Sequence, residues 1–189
     1  MRRCIYTNSA NGSVTYAIWD AANVGSAISL SGSPLLTETS SGVGEVRANI
    51  AVASGNKRYW EATVGGSSTA NMVVGIDNGS GNLNAYTGGS SGTTAYYGGG
   101  GYFQNGSFYN TGQSTYSPGD VIGIALDLSA WTVQFYKNGT ASGSAISIAS
   151  GSSYYPANGS GGATMITTAN FGQSAFAYSV PTGFTGGVY

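Results

Sequence analysis

Thirty-two glycines are spread through the 189 residues, and they fall between short runs of β-branched and aromatic side chains. A glycine inside a helix costs about 1 kcal/mol relative to alanine, and no stretch shows the three- and four-residue apolar spacing of an amphipathic helix. Strands joined by turns satisfy both constraints, because β-branched and aromatic residues suit a pleated surface while glycine opens turn conformations. The sequence therefore predicts an all-β chain with very little helix.

The clearest strand is KRYWEATV, residues 57–64. Alternation sets Trp60, Ala62 and Val64 on one face and Tyr59, Glu61 and Thr63 on the other. NMVVGID, 71–77, follows the turn signal GGSST and should pair with it. DVIGIALDLSAWTVQFYKNG, 120–139, reads as a hairpin. Its first arm is nearly all apolar, Ser129–Ala130 turns the chain, and the second arm places Val133 and Phe135 opposite Thr132, Gln134 and Tyr136. Asn138–Gly139 closes a further turn, since both residues tolerate positive φ. More strands are expected at 14–19, 26–30, 45–50, 145–148, 154–157 and 163–171. Glycine-rich patches at 65–66, 88–92, 98–101 and 159–162 read as loops. Short strands so spaced, with no linker between them, predict one antiparallel β-sandwich domain.

Composition removes several functions. Charged residues are 7% of the chain and net charge is −1, so there is no electrostatic footprint for nucleic acid. No apolar run approaches the roughly 20 residues that cross a bilayer. MRRCIYTNSANGS has a basic start but no apolar core, so it is not read as a secretory signal and the chain is expected to be made in soluble form. With Cys4 as the one cysteine, no internal disulfide forms. Histidine is absent, which removes the usual general base and the commonest metal ligand. The acids Asp20, Glu38, Glu45, Glu61, Asp77, Asp120 and Asp127 are dispersed, and DNGSGN at 77–82 reads as an Asx-rich turn rather than a calcium loop. No metal or cofactor is expected.

With these motifs in place the chain resembles the SPRY domain, a concanavalin-like β-sandwich of jelly-roll type found as a binding module in many recognition proteins. KRYWEATV is similar to the family's first hallmark and VVGI at 73–76 to the next strand. YSPGDVIGIALDLSAWTVQFYKNG, 116–139, resembles its longest motif, and YYPAN at 154–158 and ATMITTANFG at 163–172 resemble the closing strands. WDAANVGSAISLS at 19–31 and the ending FAYSVPTGFTGGVY resemble SPRY proteins encoded by tailed bacteriophages. The match runs over residues 16–189 and leaves 1–15 as an N-terminal docking segment, with Arg2, Arg3, Ile5 and Tyr6 as its contact residues.

Most of the hallmark residues carry the fold: Trp60, Glu61, Gly123, Asp127, Phe135, Asn138 and Gly139, with Asp120 tightening a turn. Glu61 and Asp127 are the one conceivable glycosidase pair, and no catalytic residue is assigned. The long connection 78–119 reads differently. Tyr86, Tyr96, Tyr97, Tyr102, Phe103, Phe108, Tyr109 and Tyr116 stand among Gly, Ser, Asn and Thr, the composition of a paratope. Such rings also suit sugars, stacking on C–H faces while hydroxyls hydrogen-bond.

The resemblance implies a non-enzymatic structural protein of the bacteriophage virion surface, made in the host cytoplasm. It would decorate or cement the capsid as a homo-oligomer or part of a symmetric assembly, docking through residues 1–15 and one sandwich face. Its partners would be other virion proteins, of capsid or tail, or a host surface glycan. The alternatives are a tail-fibre or receptor-binding adhesin for host glycans and a polysaccharide depolymerase.

Overall fold

Alternating apolar residues on short strands have one way to leave water: two sheets must face each other. The computed structural model describes residues 14–66, 71–162 and 164–189, and it has this form. In chain order the strands are β1 (Trp19–Val24), β2 (Ile28–Ser31), β3 (Thr37–Ser40), β4 (Val43–Ala48), β5 (Lys57–Gly66), β6 (Met72–Asp77), β7 (Thr93–Tyr97) and β8 (Tyr102–Gln104). They continue as β9 (Ser107–Tyr109), β10 (Val121–Asp127), β11 (Thr132–Lys137), β12 (Thr140–Ala141), β13 (Ile146–Ser147), β14 (Tyr155–Gly161), β15 (Met165–Asn170) and β16 (Thr185–Gly186). No helix occurs among the described residues.

One sheet runs β1-β4-β14-β6-β7-β8-β9, and the other runs β12-β11-β10-β5-β15-β3-β2 with β13 on β11 and β16 on β5. All pairings are antiparallel except β16 with β5. The inner faces bury Trp19, Trp60, Met72, Ile124, Phe135 and Phe171. Trp60, Ala62 and Val64 point inward as their alternation predicts, and so do Val133 and Phe135. The β11–β12 turn has positive φ at both Asn138 (47°) and Gly139 (77°), which is why that dipeptide stands there.

Several strands depart from the sequence reading, and 71–77 does not pair with 57–64: β6 lies between β14 and β7 in one sheet and β5 between β10 and β15 in the other. The first begins at Trp19 rather than 14, because Ala17 N–H already bonds to the Val188 carbonyl and ties the segment to the C-terminus. Thr37–Ser40 was not foreseen, as it carries no apolar residue. Its inward side chains are Glu38 and Ser40. A buried chain satisfies Glu38: Asn158 Nδ2 donates to Thr167 Oγ1 (3.0 Å), and Thr167 Oγ1 donates to Glu38 Oε2 (2.7 Å). This links the two sheets, and burial raises the Glu38 carboxyl to about 7. Trp131 belongs to the turn (φ 57°), so the second hairpin arm starts at Thr132.

The patches at 65–66 and 159–161 are strand, not loop. At Gly159 a Cβ would strike the Gly44 carbonyl oxygen and crowd Thr87, so this strand interior is bare where the 78–92 connection lies on it. Gly123 leaves space for an aromatic ring. A Cβ there would come 2.5 Å from the Tyr59 hydroxyl, so the missing side chain makes room for that ring. Gly123→Ala is expected to cost about 1–3 kcal/mol through overpacking. Thermal denaturation checks it, and an unchanged melting temperature would mean the ring moves aside freely.

The docking residues Arg2, Arg3, Ile5 and Tyr6, and Cys4, lie outside the described residues.

Candidate functional site

The 78–119 connection is not one long loop. Three of its segments, β7, β8 and β9, extend the seven-stranded sheet beyond β6. The sequence hid them because tyrosine, glycine and threonine replace the aliphatic residues that usually mark a strand. Pairing sets Val73 against Tyr97, Ala95 against Phe103, and Phe103 against Phe108. In the alternate register Val74 faces Tyr96, Tyr96 faces Tyr102, and Tyr102 faces Tyr109. Successive residues point to opposite sides of a sheet, so the eight aromatics divide by parity into groups with different environments.

Tyr96 and Tyr116 leave the contact set, because both are buried in the core, at 0% and 2% exposure. Their rings meet edge to face at 4.9 Å, and Tyr96 packs on Phe135. The Tyr96 hydroxyl donates to the Ser114 carbonyl and accepts from Ser142 Oγ, while Tyr116 Oη reaches the Met72 carbonyl at 2.9 Å. Burial raises both phenols above their ordinary range. Their polar ends are consumed inside the protein, which is how a tyrosine becomes a core residue.

Tyr102 and Tyr109 stack at 5.0 Å on the inward side of the overhanging β8–β9 hairpin. With Gln104, Thr111 and residues 145–147 Tyr102 borders a groove of ≈ 450 Å³ at the mouth of the sandwich. Gln104 Nε2 spans it, donating to the Ser147 carbonyl at 2.8 Å.

Tyr86, Tyr97, Phe103 and Phe108 come together on the outer face. Phe103 lies 5.0 Å from Tyr86, 5.2 Å from Tyr97 and 5.1 Å from Phe108 between ring centroids. Each ring is tilted against its neighbours, so the cluster is held in shape before any partner arrives. Phe108 is 49% exposed at the sheet edge. Between three of these rings opens a cleft of ≈ 130 Å³, lined by Tyr86, Tyr97, Phe103, Asn71, Val73 and Gly161. No lining residue is charged. Asn71, Val73 and Gly161 were not singled out in the sequence, and only strand register brings them beside the rings.

The connection after β6 is locked from below. Asp77 Oδ1 accepts from Gly79 N (2.8 Å) and Gly81 N (3.1 Å), which makes DNGSGN an Asx-type turn. Arg47 Nη1 pairs with Asp77 Oδ2 at 3.2 Å, under the same loop. Glu45 is fully buried beside them. Burial, and then the Asp77 carboxylate, raise its carboxyl to about 9, and Thr87 and Arg47 oppose this only in part.

Glu61 and Asp127 stand on the outer face of the other sheet. Glu61 is opposite Gly123 and Asp127 opposite Lys57. That is four positions along the strands, or about 13 Å, against the roughly 5–9.5 Å of glycosidase carboxyl pairs. Glu61 accepts from Tyr59 Oη (3.0 Å), Ala177 N (2.8 Å) and Tyr178 N (3.0 Å). Asp127 accepts from Ser129 N (2.8 Å) and Ala130 N (2.9 Å) and pairs with Lys57 (2.7 Å). Burial disfavours ionisation of Asp127, but Lys57 and these donors outweigh it and hold the carboxyl below its ordinary range. Each carboxylate is engaged in holding backbone: Glu61 a C-terminal strap, Asp127 the β10–β11 turn.

The SPRY domain family model matches residues 57–174, more than half of the chain. Among solved structures the chain is similar to the SPRY domain of human HERC1, with a TM-score of 0.68 and 18% identity over 83% of this chain and 99% of that one. It is also similar to the TRIM65 PSpry domain (TM-score 0.65, 13% identity, 82% of this chain and 92% of that one). A further likeness is to a human SPRY domain (TM-score 0.60, 17% identity, 79% and 98%). No curated protein matches the sequence. Hallmark strands in order, a two-sheet sandwich and the family match converge on one assignment: this chain belongs to the SPRY domain family.

Proposed function

We propose that the chain is a non-enzymatic binding module of a bacteriophage virion surface, held on the capsid as a decorating protein and presenting the outer-face aromatic cluster for contact. The cluster of Tyr86, Tyr97, Phe103 and Phe108 carries the reading. It gathers rigid aromatic area at a sheet edge, flanked by glycine, serine and asparagine, which is how binding surfaces gain contact at low entropic cost. SPRY membership favours a protein-interaction role. The virion setting rests on the resemblance of residues 19–31 and of the C-terminal ending to phage SPRY proteins, and docking is assigned to residues 1–15. A depolymerase is disfavoured, since the candidate carboxylates Glu61 and Asp127 are far apart and occupied by backbone donors.

Imaging of intact particles tests the placement. The expected result is a regular copy of this fold on the capsid shell. Its presence only on tail fibres would favour the adhesin alternative, and its absence from particles would overturn the virion reading. The contact face has its own test. Replacing Tyr97 and Phe108 together by serine should leave the domain folded and still incorporated, because Phe108 is half-exposed and Tyr97 only half-buried. Attachment of particles to host cells should fall at least about tenfold, which corresponds to ~1.4 kcal/mol of contact energy. Unchanged attachment would remove the cluster from the contact surface.

A further inference from the structure

We infer that the cleft between Tyr86, Tyr97 and Phe103 is a seat for one neutral sugar ring, an inference that rests on the outer aromatic face being the contact surface. Three observations lead there. The walls are rings: Tyr86 and Tyr97 each meet Phe103 edge to face, so ring faces and edges both look into the opening. The rim carries hydrogen-bonding groups that the protein leaves unused. The hydroxyls of Tyr86 and Tyr97 and the side-chain amide of Asn71 make no hydrogen bond to any described residue. By contrast, the buried hydroxyls of Tyr96 and Tyr116 are engaged. Finally, no charged side chain lines the cleft, so an ionic ligand would lose hydration there without gaining a partner.

These features select among neutral ligands. A pyranose offers an apolar C–H face for a ring to cover and an equatorial belt of hydroxyls for phenols and an amide to meet. An extended peptide needs a groove several residues long, and a volume of ≈ 130 Å³ is below that of ordinary drug-sized pockets. The floor has room for a ring because the β14 backbone beside Val73 is bare at Gly161, whereas the bare backbone at Gly159 is already covered by the 78–92 connection. A Cβ at Gly161 would make only ordinary contacts, 3.6 Å from the Asn71 carbonyl oxygen and 3.9 Å from Tyr86 Cδ1. That glycine is not required by close packing of the protein on itself. Its absent side chain enlarges the cleft.

The test is amide NMR of the isolated chain titrated with glucose, galactose, N-acetylglucosamine and rhamnose to about 100 mM, with glycerol as a control for unspecific polyol effects. The expected result is saturable shifts from at least one sugar, confined to Asn71, Val73, Tyr86, Tyr97, Phe103 and Gly161, with a millimolar half-point. Glucuronate should bind no better than glucose. Gly161→Ala, which keeps the fold and all the rings, should weaken binding about tenfold by raising the floor. Tyr97→Ala should do the same by removing a wall. No saturable shift from any of the sugars, shifts located elsewhere, or equal response to glycerol would overturn the inference. If the sugars fail while the Tyr97/Phe108 serine variant still loses host attachment, the contact face stands and its occupant is a protein. If sugars bind but attachment is untouched, the seat stands and the contact-face reading falls.

Discussion

Glu61→Ala is expected to release the C-terminal strap and to destabilise the domain by about 3–5 kcal/mol. Each buried donor that loses its acceptor costs roughly 1–3 kcal/mol, and the three losses overlap. The donors are Tyr59 Oη and the backbone N–H groups of Ala177 and Tyr178. The strap has other attachments: Phe176 lies 5.4 Å from Tyr59, Arg58 stacks on the Tyr189 ring at 4.0 Å, and β16 runs parallel to β5. These contacts flank Glu61, so its loss should open the strap locally before the sandwich unfolds. Chymotrypsin should then cut after Phe176 or Tyr178 in native buffer, while urea denaturation measures the loss of stability. Glu61→Gln keeps one acceptor oxygen and should fall between the two. A Glu61→Ala protein as stable and as protease-resistant as the parent would show that the strap holds without the carboxylate.

The second large effect concerns pH. An acid whose pKa is raised by folding binds its proton more tightly in the native state, so stability falls as pH rises from the unfolded value toward the folded one. Glu45, raised from 4.5 to about 9, and Glu38, raised from 4.5 to about 7, both act in this direction. Asp127 is lowered in the folded state and acts oppositely, its contribution being lost as pH falls below the ordinary value of 3.8. Stability should therefore peak near pH 4–5 and decline through neutrality. At pH 7 the Glu45 proton alone costs about 3 kcal/mol, at ~1.4 kcal/mol for each pH unit above its unfolded value. Glu45→Gln keeps a donor toward Asp77 without that cost. It should raise the melting temperature at pH 7 by up to roughly 6–12 °C and leave only Glu38 to slope the profile, ending near pH 7. An unchanged decline between pH 7 and 9 in the variant would mean that Glu45 is not the group holding the proton.

The burial of these two carboxyl groups was invisible to periodicity. Glu45 sits in β4 between buried Gly44 and Val46, and it is covered because the 78–92 connection folds over β4. Glu38 lies in a segment with no apolar residue at all. By contrast, KRYWEATV and the 120–139 hairpin were readable, because Trp60, Val64, Val133 and Phe135 alternate with polar neighbours and Asn138–Gly139 demands its turn. The aromatic cluster was half readable. Composition marked all eight rings as one surface, yet strand parity buries Tyr96 and Tyr116, turns Tyr102 and Tyr109 inward, and leaves four outside.

What the sequence by itself determined is the class of fold and most of its central strands, because hydrophobic alternation and turn chemistry are local and act at any point along a chain. It also determined that no histidine and little charge are available to any site. Only the tertiary structure decided which rings are free, that Gly161 and Asn71 border a cleft, and that Glu61 is spent on the C-terminal strap. Those facts depend on pairing between segments up to 117 residues apart, as in Tyr178 with Glu61. A side chain's neighbours across a sheet are set by register, and register follows from the packing of both sheets at once.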